Sequence, residues 1–332
     1  MKAFVTGGTG FVGSHIVEHL LDLAEFEEVR VLIRKEEKWL KGLNYTPVKS
    51  TLENLKPVKD ALYGVDVLIH GAAILHASSY SDFFTVNVEA TKNLVELAVD
   101  AGVSNIIILS SLAATGPSSQ IPLTEQTLLS PISAYGRSKK QMEEEIHRLF
   151  TEKNWAKNPN LSIKIIRPTA VYGPRETDIY GLFKALKYRI APIISNPIQK
   201  TISLVHVQDL VNGILTVRLY NHAGIHTYFL GGPEDGYSWN EIYKECSVIL
   251  GKSFLRIRVP KVGLMAIAKM SETITPIFGM YPALNLEKAE ELTQSWLCSS
   301  NKAKKDWGYS PKISLIEGLQ STLNWYQNHN WL

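Results

Sequence analysis

The chain has 332 residues, 45% of them hydrophobic, enough for one large domain or two closely joined ones around a substantial core. The 35 Lys and Arg and 32 Asp and Glu leave a net charge of +3 with the signs interspersed, which excludes a nucleic-acid-binding tail. The two cysteines, Cys246 and Cys298, exclude a disulfide framework and a cysteine-based zinc site. They suit a reducing, cytoplasmic setting, and no metal is expected.

A short apolar strand is predicted over 2–6. The stretch before the first glycine is too brief for the apolar region of a signal peptide. Thr6-Gly7-Gly8-Thr9-Gly10-Phe11-Val12-Gly13 follows, and a helix is predicted over 12–24 from the apolar face of Ile16, Val17, Leu20 and Leu21. Gly8, Gly10 and Gly13 fit G-x-G-x-x-G, and Gly7, Gly10 and Gly13 fit G-x-x-G-x-x-G. A glycine turn between strand and helix lets backbone N–H groups approach a pyrophosphate at the helix N-terminus. A glycine-rich turn that binds nothing is the plain alternative.

The second strand, 29–33, ends in Arg34 and Lys35. An acidic residue there would hold the ribose 2′-OH of NAD, whereas a guanidinium pairs with a 2′-phosphate. NADP is therefore favoured over NAD, against the alternative of a solvated basic turn beside Glu36 and Glu37. Strands at 65–70 and 105–110 end in His70-Gly71-Ala72-Ala73 and Ser110-Ser111. Helices are predicted over 85–101 and 133–150. The latter carries Tyr135-x-x-x-Lys139, which puts both groups on one helix face. An ammonium near the phenol lowers its pKa toward neutrality and fits it for proton exchange with a carbonyl or alcohol oxygen. A strand at 161–166 runs into Arg167-Pro168-Thr169-Ala170-Val171-Tyr172-Gly173-Pro174.

Helices at 177–190 and 208–220 and strands at 202–205 and 226–230 complete the regular pattern. The strands are near-continuous apolar runs, as expected for a parallel sheet covered on both faces in a doubly wound α/β fold. Pro174, Pro192, Pro197, Pro233, Pro260, Pro276 and Pro282 punctuate the later chain. A nucleotide-binding domain of 1–172 plus about 202–230 is expected. A smaller discontinuous substrate domain would take about 173–201 and 231–332, with a cleft between the two. Lys269 and Glu272 break the apolar stretch Val262–Ala268, so no membrane span is expected.

The glycine loop, His70-Gly-Ala-Ala, Asn87-Val-Glu-Ala-Thr, Ser110-Ser111, Tyr135-x-x-x-Lys139, Arg167-Pro-x-x-Val-Tyr-Gly-Pro, His206-Val-Gln-Asp209 and Lys305-Asp-Trp-Gly-Tyr-Ser-Pro together resemble the extended short-chain dehydrogenase/reductases. This is the NAD(P)-dependent epimerase/dehydratase superfamily, and the likeness spans nearly the whole chain. It implies a Rossmann-type fold with Tyr135 as general acid/base, Lys139 on the nicotinamide ribose and Ser111, rather than Ser110, as catalytic hydroxyl. Asn87 would support the site through its helix, or be a helix-start residue only. Gly7, Gly10, Phe11, Val12, Gly13, Leu52, Ala72, Ala73, Pro168 and Val171 would line the cofactor. Thr51 stands where the family often has Asp, and it lacks the carboxylate for the adenine.

The family's sugar-nucleotide epimerases commonly carry Asn where this chain has Ala170. The Arg-Pro form resembles dihydroflavonol reductases and 3β-hydroxysteroid dehydrogenases instead. The expected activity is a ketone/alcohol oxidoreductase, with a nucleotide-sugar epimerase or dehydratase retaining NAD as the alternative. Leu112 and Ala113 stand where dehydratases often carry an acidic pair. The apolar region Val259 to Leu284 (Val262, Leu264, Met265, Ile267, Met270, Ile274, Ile277, Phe278, Met280) would line a pocket for a bulky substrate or pack the smaller domain's own core. His206 is expected to be structural and Asp209 a helix N-terminal residue. A homodimer through the helices at 85–101 and 133–150 is expected, with Leu149 and Phe150 adding apolar surface.

Overall fold

A computed structural model describes residues 1–77, 79–119, 121–195, 201–233, 236–275, 282 and 284–332. Pro197, Pro276, Ile277, Phe278 and Met280 lie outside the described residues. The strands are β1 (Lys2–Thr6), β2 (Glu28–Ile33), β3 (Thr46–Lys49), β4 (Val67–His70), β5 (Asn105–Leu109), β6 (Ser162–Pro168), β7 (Ala170–Tyr172), β8 (Ile190–Ser195), β9 (Thr201–Ile202), β10 (Leu204–His206), β11 (Gly224–Leu230), β12 (Tyr237–Ser238) and β13 (Leu255–Pro260). The α-helices are α1 (Phe11–Asp22), α2 (Lys56–Ala61), α3 (Tyr80–Phe83), α4 (Ala90–Asp100), α5 (Ala134–Glu152), α6 (Tyr180–Lys187), α7 (Val207–Val217), α8 (Trp239–Leu250), α9 (Lys261–Ile274), α10 (Leu286–Leu292), α11 (Asn301–Trp307) and α12 (Leu315–Asn328).

Seven strands form one parallel sheet in the order β11-β6-β5-β4-β1-β2-β3. The order reverses direction between β1 and β4, the crevice where doubly wound sheets bind ligands. One face is covered by α1 and α7 through Ile16, Val17, Leu20, Leu210, Val211 and Ile214. The other is covered by α2, α4 and α5 through Val58, Leu62, Leu94, Val95, Met142 and Ile146. Burial on both faces explains why the strands read as unbroken apolar runs.

Two sequence expectations are corrected here. Residues 202–205 do not return to the large sheet. Leu204–His206 pairs in parallel with Ala170–Tyr172 instead, and only β11 rejoins, beside β6. The sheet's seventh strand is β3, whose Thr-Pro-Val-Lys carries a proline at the sheet edge, where a missing ladder donor is tolerated.

A further apolar cluster joins α6, α8 and α12 through Phe183, Leu186, Ile242, Tyr243, Leu319 and Tyr326. A parallel pair, β8 with β13, extends from it. Arg175 fastens this region to α1 by pairing with Glu18 at 2.6 Å and donating to the Ser14 hydroxyl.

Candidate active site

The turn from β1 into α1 is built by close backbone approach. Gly7 has φ +74°, and a Cβ there would sit 2.6 Å from the Ala72 nitrogen. A Cβ on Gly13 would sit 2.1 Å from the Gly7 carbonyl oxygen. Gly10 N–H donates to that oxygen at 3.0 Å. Glycines 7, 10 and 13 thus form the working triplet, while Gly8 is packed beneath Val31 and Val17. Thr6 anchors the neighbouring strand end. Its hydroxyl accepts from Ala72 N–H at 3.2 Å and pairs with His70 Nδ1 at 2.7 Å. His70 Nε2 reaches Thr91 Oγ1 at 2.8 Å, and burial holds the imidazole down to about 3, so it is neutral.

The catalytic candidates meet above β5. Helix α5 is capped by Ser133, whose hydroxyl accepts from Gly136 N–H. A Cβ on Gly136 would lie 2.4 Å from the Ala113 carbonyl, so glycine lets this helix press against the turn holding Ser111. The Ser111 hydroxyl lies against the Tyr135 phenol and accepts from Ala113 N–H at 3.1 Å. Lys139 Nζ donates to the Leu109 carbonyl at 2.8 Å and sits 6.0 Å from the Tyr135 ring centre. Asn87, in a π-helical turn over Phe84–Glu89, exchanges hydrogen bonds with both backbone groups of Ile74. It also donates to Ser138 at 3.0 Å. It therefore ties the 71–77 loop to the catalytic helix, and helical defects of this kind often mark functional sites.

The protonation states differ from the sequence reading. Burial pushes Tyr135 up to about 12, with the Ser111 hydrogen bond pulling down and the charges of Glu291 and Asp178 adding to the rise. Desolvation dominates the phenol, and Lys139 is held on the Leu109 carbonyl. Burial brings Lys139 down to about 8, with Glu143 opposing. Glu143 also accepts from the Ser110 hydroxyl and from Arg167, whose Nη2 lies at 2.5 Å. Ser110 is thus engaged beneath the site, and Ser111 faces it.

A cavity of about 950 Å³ runs from the glycine loop to the C-terminal helices. Gly7, Gly10, Phe11, Val12, Gly13, Arg34, Leu52, Ala72, Ala73, Ser111, Tyr135, Lys139, Pro168 and Val171 all line it. Lys35 does not, and Lys38 takes its place on the wall. Lys38 belongs to the short 3-10 turn after β2. Asn87 stands behind the wall, joined to it through Ile74. Sequence reasoning missed Glu176, Asp178, Glu287, Lys288 and Glu291, which line the far end. Glu287 accepts from the Ala134 N–H at 2.7 Å and from Arg137 at 2.9 Å, so α10 sits on the N-terminus of α5. No local signal near residue 287 announces that contact. Burial raises Glu176 to about 7, although its carboxylate accepts from the Asp178 and Ile179 amides.

His206 caps α7 and reaches Ser321, and Asp209 accepts from the Lys312 and Ile313 amides. Both act structurally, as expected. The described part of the apolar region after 259 divides, with Val259, Met265 and Leu284 packing around a small core of its own. Leu264 is buried with Ala268 and Ala289, but Val262, Ile267, Met270 and Ile274 are exposed and none of them lines the cavity. Leu149 is buried in the core rather than on an outer face, and Phe150 packs edge-on against Trp155. Among the described residues no cluster could hold a metal ion.

The nucleotide end fits a nicotinamide dinucleotide. Its glycine cradle admits no added Cβ at Gly7 or Gly13, and small Ala72 and Ala73 line the groove with Tyr135 and Lys139.

Comparison with known proteins agrees with this geometry. The NAD dependent epimerase/dehydratase family model matches residues 3–231. The chain is 29% identical to the ceramide reductase of Caulobacter vibrioides over 99% of its own length and 95% of that protein. Among solved structures, that of gox2253 superposes with a TM-score of 0.79 at 28% identity, covering 98% of each chain. UDP-glucuronic acid 4-epimerase from Bacillus cereus, solved with NAD, gives a TM-score of 0.78 at 22% identity, covering 99% of each chain.

Proposed function

This chain belongs to the NAD dependent epimerase/dehydratase family and is an enzyme of CH–OH or C=O groups, and from that premise we propose that it reduces a ketone on a bulky, uncharged substrate. The observation carrying this reading is the charge of the cavity's far end. Asp178, Glu287 and Glu291 line it with Lys288. A nucleotide sugar brings a diphosphate, which needs cations or convergent N–H donors, and here it would face carboxylates. Ala170 offers it no side-chain hydrogen bond.

When bound, the nicotinamide supplies the hydride for the carbonyl carbon. The chain's own residues handle the oxygen. Tyr135, protonated at neutral pH, donates its phenolic proton to the oxygen as negative charge builds there. Ser111 donates a second hydrogen bond to the same oxygen. Lys139 and the glycine loop hold the cofactor, with Asn87 fixing the helix that carries Tyr135. Arg34 and Lys38 at the adenosine end favour NADP through charged hydrogen bonds to a 2′-phosphate.

The proposed substrate unit comprises about 173–201 and 231–332, set against a nucleotide unit of 1–172 with the segment returning through β11. The ceramide reductase likeness supports a long-chain substrate. The test incubates the enzyme with NADPH or NADH and, separately, a two-chain lipid ketone, a steroid ketone and UDP-glucose. Consumption of NADPH with a ketone alone supports the proposal. Interconversion of the sugar nucleotide without net redox would refute it.

A further inference from the structure

Lys139, Glu143 and Arg167 are three ionic side chains inside the protein, 3%, 2% and 4% exposed. The Lys139 amine donates to a backbone carbonyl, that of Leu109. A carbonyl solvates a buried cation without neutralising it, and an uncompensated buried charge is costly. The anion lies one turn further along α5. Glu143 stands four residues after Lys139, on the same helix face.

Two strands hold Glu143 in turn. Arg167 of β6 grips it as a fork, with Nε on Oε1 at 3.0 Å and Nη2 on Oε2 at 2.5 Å. The Ser110 hydroxyl, at the end of β5, also donates to Oε1. The guanidinium lies 5.3 Å from the Phe229 ring centre of β11, and its Nη1 has no hydrogen-bond partner among the described residues. Leu109 and Ser110 are consecutive. The same strand end therefore receives Lys139 through a carbonyl and Glu143 through a hydroxyl.

We propose that Glu143 is a positioning residue of this site: its carboxylate, locked by Arg167 and Ser110, keeps the buried Lys139 charged and registers the catalytic helix on the ends of β5 and β6. The other groups around Lys139 supply no negative charge. Tyr135, on the same helix, keeps its proton, and His70 of β4 is neutral. Burial holds His147, further along α5, below its ordinary value, and Arg167 is a cation. The charges of Asp178 and Glu291 act on Tyr135. Glu143 opposes the fall that burial imposes on Lys139. It does not line the cavity, so it acts through Lys139. The inference rests on the reading of Lys139 as the residue that holds the cofactor.

The test is trace labelling of the full chain with acetic anhydride across the neutral and alkaline range. Acetylation of Lys139 is read by peptide mass spectrometry against exposed lysines of the same chain. The wild type should be half-reactive at about pH 8. Glu143→Gln keeps the size and an acceptor for Arg167 and Ser110, and should lower that midpoint by about one unit. Glu143→Asp keeps the charge and should leave the midpoint near that of the wild type. A packing defect alone would lower both melting temperatures and move neither midpoint. If Arg167, stripped of its anion, unfolds Glu143→Gln, the double change Glu143→Gln with Arg167→Met takes its place. It should lower the midpoint less, because a cation leaves with the anion. With NADPH and a ketone, the alkaline limb of kcat/KM should move down with the midpoint. Folded Glu143→Gln and double variants that keep the wild-type midpoint would overturn the proposal. So would Glu143→Asp shifting as far as Glu143→Gln, or a shifted midpoint beside an unmoved limb in a chain that reduces the ketone. The labelling needs neither cofactor nor substrate, so it separates this inference from failure of the ketone reading.

Discussion

Tyr135 and Lys139 stand one helical turn apart, and their environment sets their resting protonation. A phenol held up to about 12 is a proton donor at neutral pH, not a resident phenolate. Tyr135→Phe keeps the ring and removes the proton, so turnover should fall by roughly 10²–10⁴-fold, the usual loss of a general acid. Cofactor binding, followed by fluorescence, should hardly change. Lys139, brought down to about 8, is charged below that pH and loses its proton as pH rises through it. We therefore expect kcat/KM to fall as pH passes about 8. Lys139→Arg should carry that limb upward, because a guanidinium stays protonated. Glu176 works the other way on stability. Its carboxyl is raised from its usual 4.5 to about 7, so the folded state prefers it protonated. Its contribution is complete at low pH and is lost as pH rises from about 4.5 through about 7. The melting temperature of wild type minus that of Glu176→Gln should shrink across that window.

Elements bring these residues together through glycine contacts. Gly13→Ala would drive a Cβ into the Gly7 carbonyl at 2.1 Å, with backbone on both sides and nothing flexible to yield. Loss of nicotinamide binding is the expected result, read by titration alongside a melting curve. The glycine loop, the strand ends and the catalytic helix were legible because local pattern encodes them. Unbroken apolar runs mark the buried strands, and Tyr135 and Lys139 lie within one helix. Strand β3 escaped because Pro47 speaks against a strand wherever the sheet edge is unknown. The far wall of the cavity escaped for another reason. Glu287 meets Ala134 across 153 residues of chain, and no short-range period encodes such a contact. The exposed stripe of α9 was legible as apolar, but periodicity alone does not tell a core face from an outward one.

At the scale of the molecule, the far end of the cavity combines the loop after β7 with residues of α10. Glu287 locks α10 to the start of α5, and Arg175 locks the loop after β7 to α1. The dimer suggested by family resemblance would use the outer faces of α4 and α5. Those faces carry Arg148 paired with Glu145 and Glu152, and Lys153 with Glu96, while Leu149 points inward. A dimer there would be polar, so its mass in light scattering should fall toward the monomer's 37.1 kDa as salt is raised. A salt-insensitive dimer would place the contact elsewhere.

The proposed reaction is net reduction of a ketone with Tyr135 as proton donor. Its most direct test is isotope tracing with nicotinamide cofactor deuterated at its transferable position, a two-chain lipid ketone and, in parallel, UDP-glucose. One deuterium in the released alcohol per cofactor oxidised is expected, and at least a hundredfold less product from Tyr135→Phe. A labelled or epimerised sugar nucleotide formed with no net change in the cofactor, or full deuterium transfer by Tyr135→Phe, would contradict it.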